Sequence, residues 1–142
     1  METVRDILNR KGSVIRAIGR GEMVLEAIRR MDEFQVGALL VMEGEKLVGI
    51  VTERDYARKV ILKGKSSATT PVDEIMSHRV VHVGVGDTAE HCVALMTERK
   101  VRHLPVLEQG KVVGVLSMRD LLTSRAEMNK LIFGRLSASS KG

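Results

Sequence analysis

A chain of 142 residues, 44% hydrophobic and 29% charged with a mean hydropathy of -0.01, has the makeup of one compact domain and not that of a disordered or membrane-embedded chain. Its net charge of +5 comes from 23 Lys and Arg interleaved with 18 Asp and Glu; with 2% aromatics, base-stacking side chains are scarce and nucleic acid is not the expected partner. No apolar run approaches the ~18 residues of a membrane span, and the acidic N-terminal residues do not read as a secretory signal, so a cytoplasmic location is expected. The single cysteine, Cys92, reads as a small buried hydrophobe in a reduced protein.

In chain order, Val4 to Leu8 form a short opening segment, and residues 14–18 read as a strand. Val24, Ala27, Ile28 and Met31 then fall at i, i+3, i+4 and i+7, one face of a helix over 23–34. Two apolar strands follow at 38–42 and 46–51, joined by Glu43-Gly44-Glu45 as a hairpin, and a second helix runs over 53–62. Residues 63–71 are polar and read as a linker. The pattern then restarts. Val72-Asp73-Glu74-Ile75-Met76 matches the opening segment, and 79–83 the first strand. A helix over 88–99 carries Ala89, Cys92, Val93 and Met96, with Asp87 and Glu90 as its capping start. Strands at 103–107 and 111–116 and a helix over 118–130 complete the copy, and 131–142 is a small, polar tail.

The repetition is literal. A shift of 65 residues lays residues 37–55 on 102–120, and residues 21–57 keep 12 identities, among them Gly49, Arg54 and Asp55 with Gly114, Arg119 and Asp120. The opening segments align only at a shift of 68, so the first copy has three extra residues there. The division is therefore 3–62 for the first repeat, 63–71 for the linker and 72–130 for the second repeat. One βαββα unit buries too little surface to stand alone. Two of them sharing a core predict an α/β (α+β) fold with pseudo-two-fold symmetry and a cleft between the halves.

The residues best placed to carry chemistry lie where the last strand of each repeat passes into a helix: Gly49-Ile50-Val51-Thr52-Glu53-Arg54-Asp55 and Gly114-Val115-Leu116-Ser117-Met118-Arg119-Asp120. A hydroxyl followed by an acid three residues later has the spacing of a capping box. The same pair can bind a ligand, since an Asp in the first turn can accept from both hydroxyls of a ribose while the cap and free helix N–H groups meet a phosphate. Arg54 and Arg119 stand between hydroxyl and acid, as solvated charges or as phosphate contacts. The helical series Arg54, Arg58, Lys59 and Lys63 is open to the same two readings. The four histidines show no zinc spacing, no glycine-rich nucleotide loop is present, and no nucleophile–base set is recognisable, so an enzyme is not expected.

The duplicated Gly-aliphatic-aliphatic-[Thr/Ser]-x-x-Asp, the Leu104-Pro105-Val106 strand and the Asp73-Glu74-Ile75-Met76 opening resemble a tandem pair of CBS domains, the Bateman module, over about residues 3–125. The resemblance implies two βαββα CBS repeats and adenosine ligands. AMP is first, with ADP, ATP, NAD(H) and S-adenosylmethionine as alternatives. Thr52 and Asp55 would hold ribose and phosphate in one site, and Ser117 and Asp120 in the other. Arg102 and His103 would face the phosphates of the second repeat's site, while the first repeat offers only Gly37 and Ala38 there. It further implies a homodimer, with the helices 23–34 and 88–99 facing both core and partner, and an unidentified effector protein regulated in trans. A nucleic-acid-binding module and a ligand-free dimerisation module are the alternatives.

Overall fold

A computed structural model describes residues 2–123. Its opening helix α1 (Val4–Lys11) is started by a capping box between Thr3 and Asp6. Then come β1 (Ala17–Gly19), α2 (Val24–Phe34), β2 (Ala38–Glu43), β3 (Lys46–Thr52) and α3 (Glu53–Tyr56). The second half repeats the order with a 3-10 turn (Val72–Glu74), β4 (Val83–Gly84), α4 (Ala89–Arg99), β5 (His103–Glu108) and β6 (Lys111–Ser117). A final helix α5 begins at residue 118 and is described to residue 123. The part of the helix expected over 118–130 that follows residue 123, and the tail 131–142, lie outside the described residues.

Each half builds one three-stranded sheet, in the orders β1-β2-β3 and β4-β5-β6, with a parallel first pair and an antiparallel hairpin. The hairpin registers are the same in both: Ala38 opposes Thr52 and His103 opposes Ser117, each with a bulge mid-strand. α2 and α4 end alike too, at Gln35 and Lys100 in the left-handed conformation, after which Val36 and Val101 donate back to Met31 and Met96.

Four details differ from the sequence reading. The first strand starts at Ala17, since pairing begins where Ala17 meets Leu40, and Val14 and Ile15 are left exposed. Its counterpart is only the pair Val83–Gly84. The helix expected over 53–62 is α-helical only to Tyr56 and continues as a wider π-turn over Ala57–Ile61. The N-cap of α4 is Thr88, whose hydroxyl accepts from the His91 amide at 3.1 Å, while Asp87 accepts from the Gly84 amide at 2.7 Å in the preceding turn.

The packing units are not the sequence repeats. The opening segments are exchanged between the halves. Val4, Ile7 and Leu8 belong to the core formed by Cys92, Met96, Leu104, Val106 and Leu116. Val72, Ile75 and Met76 belong to the core formed by Ile18, Ala27, Met31, Val41 and Val51. Backbone bonds fix both crossings. The Val4 and Arg5 amides donate to Asp87 and Val85. The Val72 and Asp73 amides donate to Glu22 and Arg20, and Ser77 exchanges two bonds with Ile50. The polar linker is structural as well: the Ser67 and Thr70 carbonyls accept the Leu25 and Val24 amides at the start of α2, where Met23 supplies no side-chain cap.

The crossings explain the first residue of the duplicated motif. A Cβ on Gly49 would stand 2.5 Å from Met76 Sδ and 2.9 Å from the Ser77 carbonyl oxygen; one on Gly114 would stand 2.7 Å from Leu8 Cδ2. A side-chain terminus can turn aside, whereas a carbonyl held in a backbone pair cannot. Gly49→Ala is therefore expected to destabilise the protein by about 1–3 kcal/mol and Gly114→Ala by clearly less. Urea unfolding of the two variants checks this, and equal losses would contradict the assigned contacts.

Candidate functional site

Thr52 and Asp55 form a complete capping box at the start of α3. The Thr52 amide donates to Asp55 Oδ2 at 2.9 Å and the Asp55 amide donates to Thr52 Oγ1 at 3.1 Å. Ser117 and Asp120 repeat this at α5, at 2.8 and 3.1 Å. The capping role read from the spacing is thus real in both copies. Each helix start is also tied to the strand beside it, the Glu53 amide donating to Gly37 and the Met118 amide to Arg102.

These tied strand ends meet at the pseudo-dyad and leave two cavities. One, of about 420 Å³, is lined by Thr52, Glu53, Arg54 and Asp55 together with Arg79, Lys100, Arg102 and His103. The other, of about 460 Å³, is lined by Ser117, Arg119 and Asp120 with Lys11, Arg16, Gly37, Ala38 and His103. All eight residues singled out from the sequence line one cavity or the other, but their grouping differs from expectation. The resemblance groups Arg102 with Ser117 and Asp120 of its own repeat; it lines the cavity of Thr52 and Asp55 instead. The reason is the dyad, which sets the β5 end of one half against the α3 start of the other. His103 lines both cavities.

Sequence reasoning missed Lys11, Arg16, Arg79 and Lys100. They lie in the opening helix, in loops and at a helix end, outside the motif, and only the exchange of opening segments brings Lys11 and Arg79 to the cavities. Arg16 is steadied by the Phe34 ring, 4.0 Å from its guanidinium carbon to the centroid. Of the basic series after Arg54, Lys59 is bonded internally, donating to the Ile75 carbonyl at 2.8 Å and pairing with Asp55 Oδ1 at 3.2 Å.

The second aspartate is held differently. Lys11 Nζ donates to the Val115 carbonyl at 2.8 Å and to Asp120 Oδ2 at 2.9 Å. Val115 is the counterpart of Ile50, whose carbonyl accepts from the Ser77 amide. An ammonium on the longer, first opening segment thus does in one half what a backbone N–H of the shorter, second one does in the other. Burial raises the Asp120 pKa, but the Ser117 amide and the Lys11 ammonium outweigh it and hold the carboxyl below its ordinary value. His103 is shifted down by burial; Asp120 acts against this, and Arg102 and Lys11 add to it. Cys92 is buried and free, its thiol pushed up to about 11 by burial and by Asp87, so it is no nucleophile near neutral pH. No group of three or more metal-ligating side chains occurs among the described residues, and no helix among them is long and apolar enough to cross a membrane.

Two stacked repeats that each set a hydroxyl–acid helix start on a cation-rich cavity define a tandem module with paired cavities at its dyad. The CBS domain family model matches residues 4–62 and 72–127. The chain belongs to the CBS-domain family. It is similar to the mitochondrial CBS domain-containing protein CBSX3 of Arabidopsis thaliana, at 31% identity over 99% of this chain and 72% of that one. It is also similar to the CBS domain-containing protein YhcV of Bacillus subtilis, at 29% identity over 88% of this chain and 86% of that one. Among solved structures, the CBS domain NE2398 superposes with a TM-score of 0.85 at 48% identity, covering 88% of this chain and 98% of that one.

A carboxyl whose folded pKa is depressed contributes stability that is present above its unfolded value and lost as pH falls through the folded value. Lys11→Met removes one cause of the depression at Asp120. The Asp120 pKa read by carboxyl NMR should rise, and the acid-unfolding midpoint should move to higher pH. An unchanged Asp120 titration would show that Lys11 does not hold this carboxylate in solution.

Proposed function

We propose that the protein is a regulatory module that binds an adenine nucleotide at its dyad and passes the resulting change in repeat geometry to an effector protein. The observation that carries this reading is the lining of the two cavities. Each combines a hydroxyl, an Asp in a first helical turn and several cations, which is the donor and acceptor set a ribose and phosphate require. AMP is the first candidate by family resemblance, ahead of ADP, ATP and NAD(H). The two sites are unequal, since Asp120 carries the Lys11 ammonium and Asp55 the i,i+4 lysine Lys59. A ligand shifts the module only by its difference in affinity between two poses of the repeats.

The module acts as a homodimer in this proposal. Ile61 and Leu62 beside the linker and Leu122 on α5 are exposed aliphatics, at 56%, 77% and 53%, and supply apolar surface for it. No catalysis is part of the proposal, and the expected location is cytoplasmic; the similar Arabidopsis thaliana protein is named as mitochondrial.

One observation favours a second reading. The capping boxes are complete without any ligand, so both aspartates have a sufficient structural role in a module that only dimerises. Asp55→Ala and Asp120→Ala separate the two. Under the nucleotide reading each variant weakens AMP binding at its own cavity by roughly 10- to 100-fold, the equivalent of losing charge-assisted bonds of ~1.5–3 kcal/mol. Under the capping reading, stability falls by ~0.5–2 kcal/mol and binding is unaltered or was never present. Calorimetric titration with AMP, alongside thermal unfolding, reads both quantities. The same titration of Arg102→Ala should weaken the cavity of Asp55 and spare that of Asp120.

A further inference from the structure

The two cavities are not separate rooms. Gly37, Ile50 and His103 line both. A Cβ built on Gly37 would lie 4.0 Å from His103 Cε1, so the imidazole stands over the backbone of the opposite repeat at the dyad. Its counterpart in the first repeat is Ala38, which opposes Thr52 as His103 opposes Ser117. The pseudo-symmetric pair of sites therefore shares one titratable side chain. Among the described residues none hydrogen-bonds the His103 ring.

We propose that His103 is the residue by which both cavities distinguish a phosphorylated from an unphosphorylated adenosine ligand, through a single proton taken up when a phosphate enters either one. The inference rests on the nucleotide reading and adds to it the class of ligand group sensed and its dependence on pH.

The charges around the imidazole set the direction. On one side stand Arg54, Arg79, Lys100 and Arg102 against Glu53 and Asp55. On the other stand Lys11, Arg16 and Arg119 against Asp120. Cations are in excess on both sides; burial, with Arg102 and Lys11, lowers the His103 pKa against the opposing pull of Asp120 and favours the neutral imidazole. A phosphate dianion in either cavity offsets that excess. It stabilises the imidazolium, raises the His103 pKa and draws a proton from solvent. By linkage, a ligand whose binding takes up protons binds more tightly as pH falls. Adenosine brings no charge and takes up no proton. Because one ring serves both cavities, the effect accompanies occupancy of either, and a ring already charged by one phosphate meets the next without further uptake.

Calorimetry of the full chain near pH 7 in buffers of different ionisation enthalpy tests this. The probes are AMP and adenosine. The proteins are the wild type, Asp55→Ala, Asp120→Ala, His103→Gln and His103→Ala, the last restoring the residue of the first repeat. The expected result is fractional proton uptake with AMP and none with adenosine. Uptake should persist in each aspartate variant, where one cavity still binds well, and disappear in both His103 variants. The AMP affinity of the wild type should rise towards acid pH by up to about tenfold per pH unit relative to the His103 variants. The phosphate's own titration near pH ~6 is common to all proteins and cancels in that comparison. Uptake equal in wild type and His103 variants overturns the proposal, as does uptake confined to one aspartate variant. AMP binding without either result leaves the nucleotide reading intact and this one refuted. Binding of neither AMP nor adenosine removes the nucleotide reading and this one with it.

Discussion

Everything at the dyad depends on one constraint: neither repeat can complete its core with its own opening segment. The sheet and helix of each half leave an apolar face that the other half's first residues cover. Ile7 and Leu8 close the core under β6, and Ile75 and Met76 close the one under β3. Each buried aliphatic of this kind contributes about 1.5–3 kcal/mol relative to exposure, so the exchange is a large part of what holds the halves together. It also brings the helix starts of the two halves to one place. Gly49 and Gly114 are required where the segments cross, and three residues further on Thr52 and Ser117 begin the helices whose acids line the cavities.

The exchange also breaks the symmetry that it creates. In one half the crossing chain reaches Ile50 with a backbone N–H; in the other, α1 reaches Val115 only with the Lys11 ammonium. That ammonium also binds Asp120, so one site carries a cation from the opposite end of the chain and the other a lysine from its own helix. His103 against Ala38 adds a second difference. The two cavities therefore share a plan and differ in the charges that line them.

Much of this was legible beforehand for a plain reason. Hydrophobic spacing and the 65-residue echo report local structure, and β2, β3, α2, α4, β5 and β6 follow it closely. The hydroxyl–acid pairs were legible because capping and ligand binding call for the same residue types at the same spacing. What stayed hidden was three-dimensional partnership. An exchange of segments leaves periodicity unchanged, so nothing in the pattern of Val4, Ile7 and Leu8 says which sheet they cover. For that reason the sequence alone groups Arg102 with Ser117, whereas the fold sets it in the cavity of Thr52. Lys11, Arg79 and Lys100 were hidden too, being isolated cations that only the fold gathers. The strand expected from residue 14 failed because β propensity exceeded the pairing available: only Ala17–Gly19 faces a partner.

The exchange of opening segments is the claim on which the cavities and their grouping rest, and methyl–methyl NOEs in the intact protein test it most directly. The structure predicts cross-peaks from Ile7 and Leu8 to methyls of Leu104, Val106 and Leu116, and from Ile75 to those of the core containing Val41 and Val51. Cross-peaks from Ile7 and Leu8 to Leu39, Val41 and Val51 instead would mean that each repeat keeps its own opening segment, and the account of the paired cavities would fall.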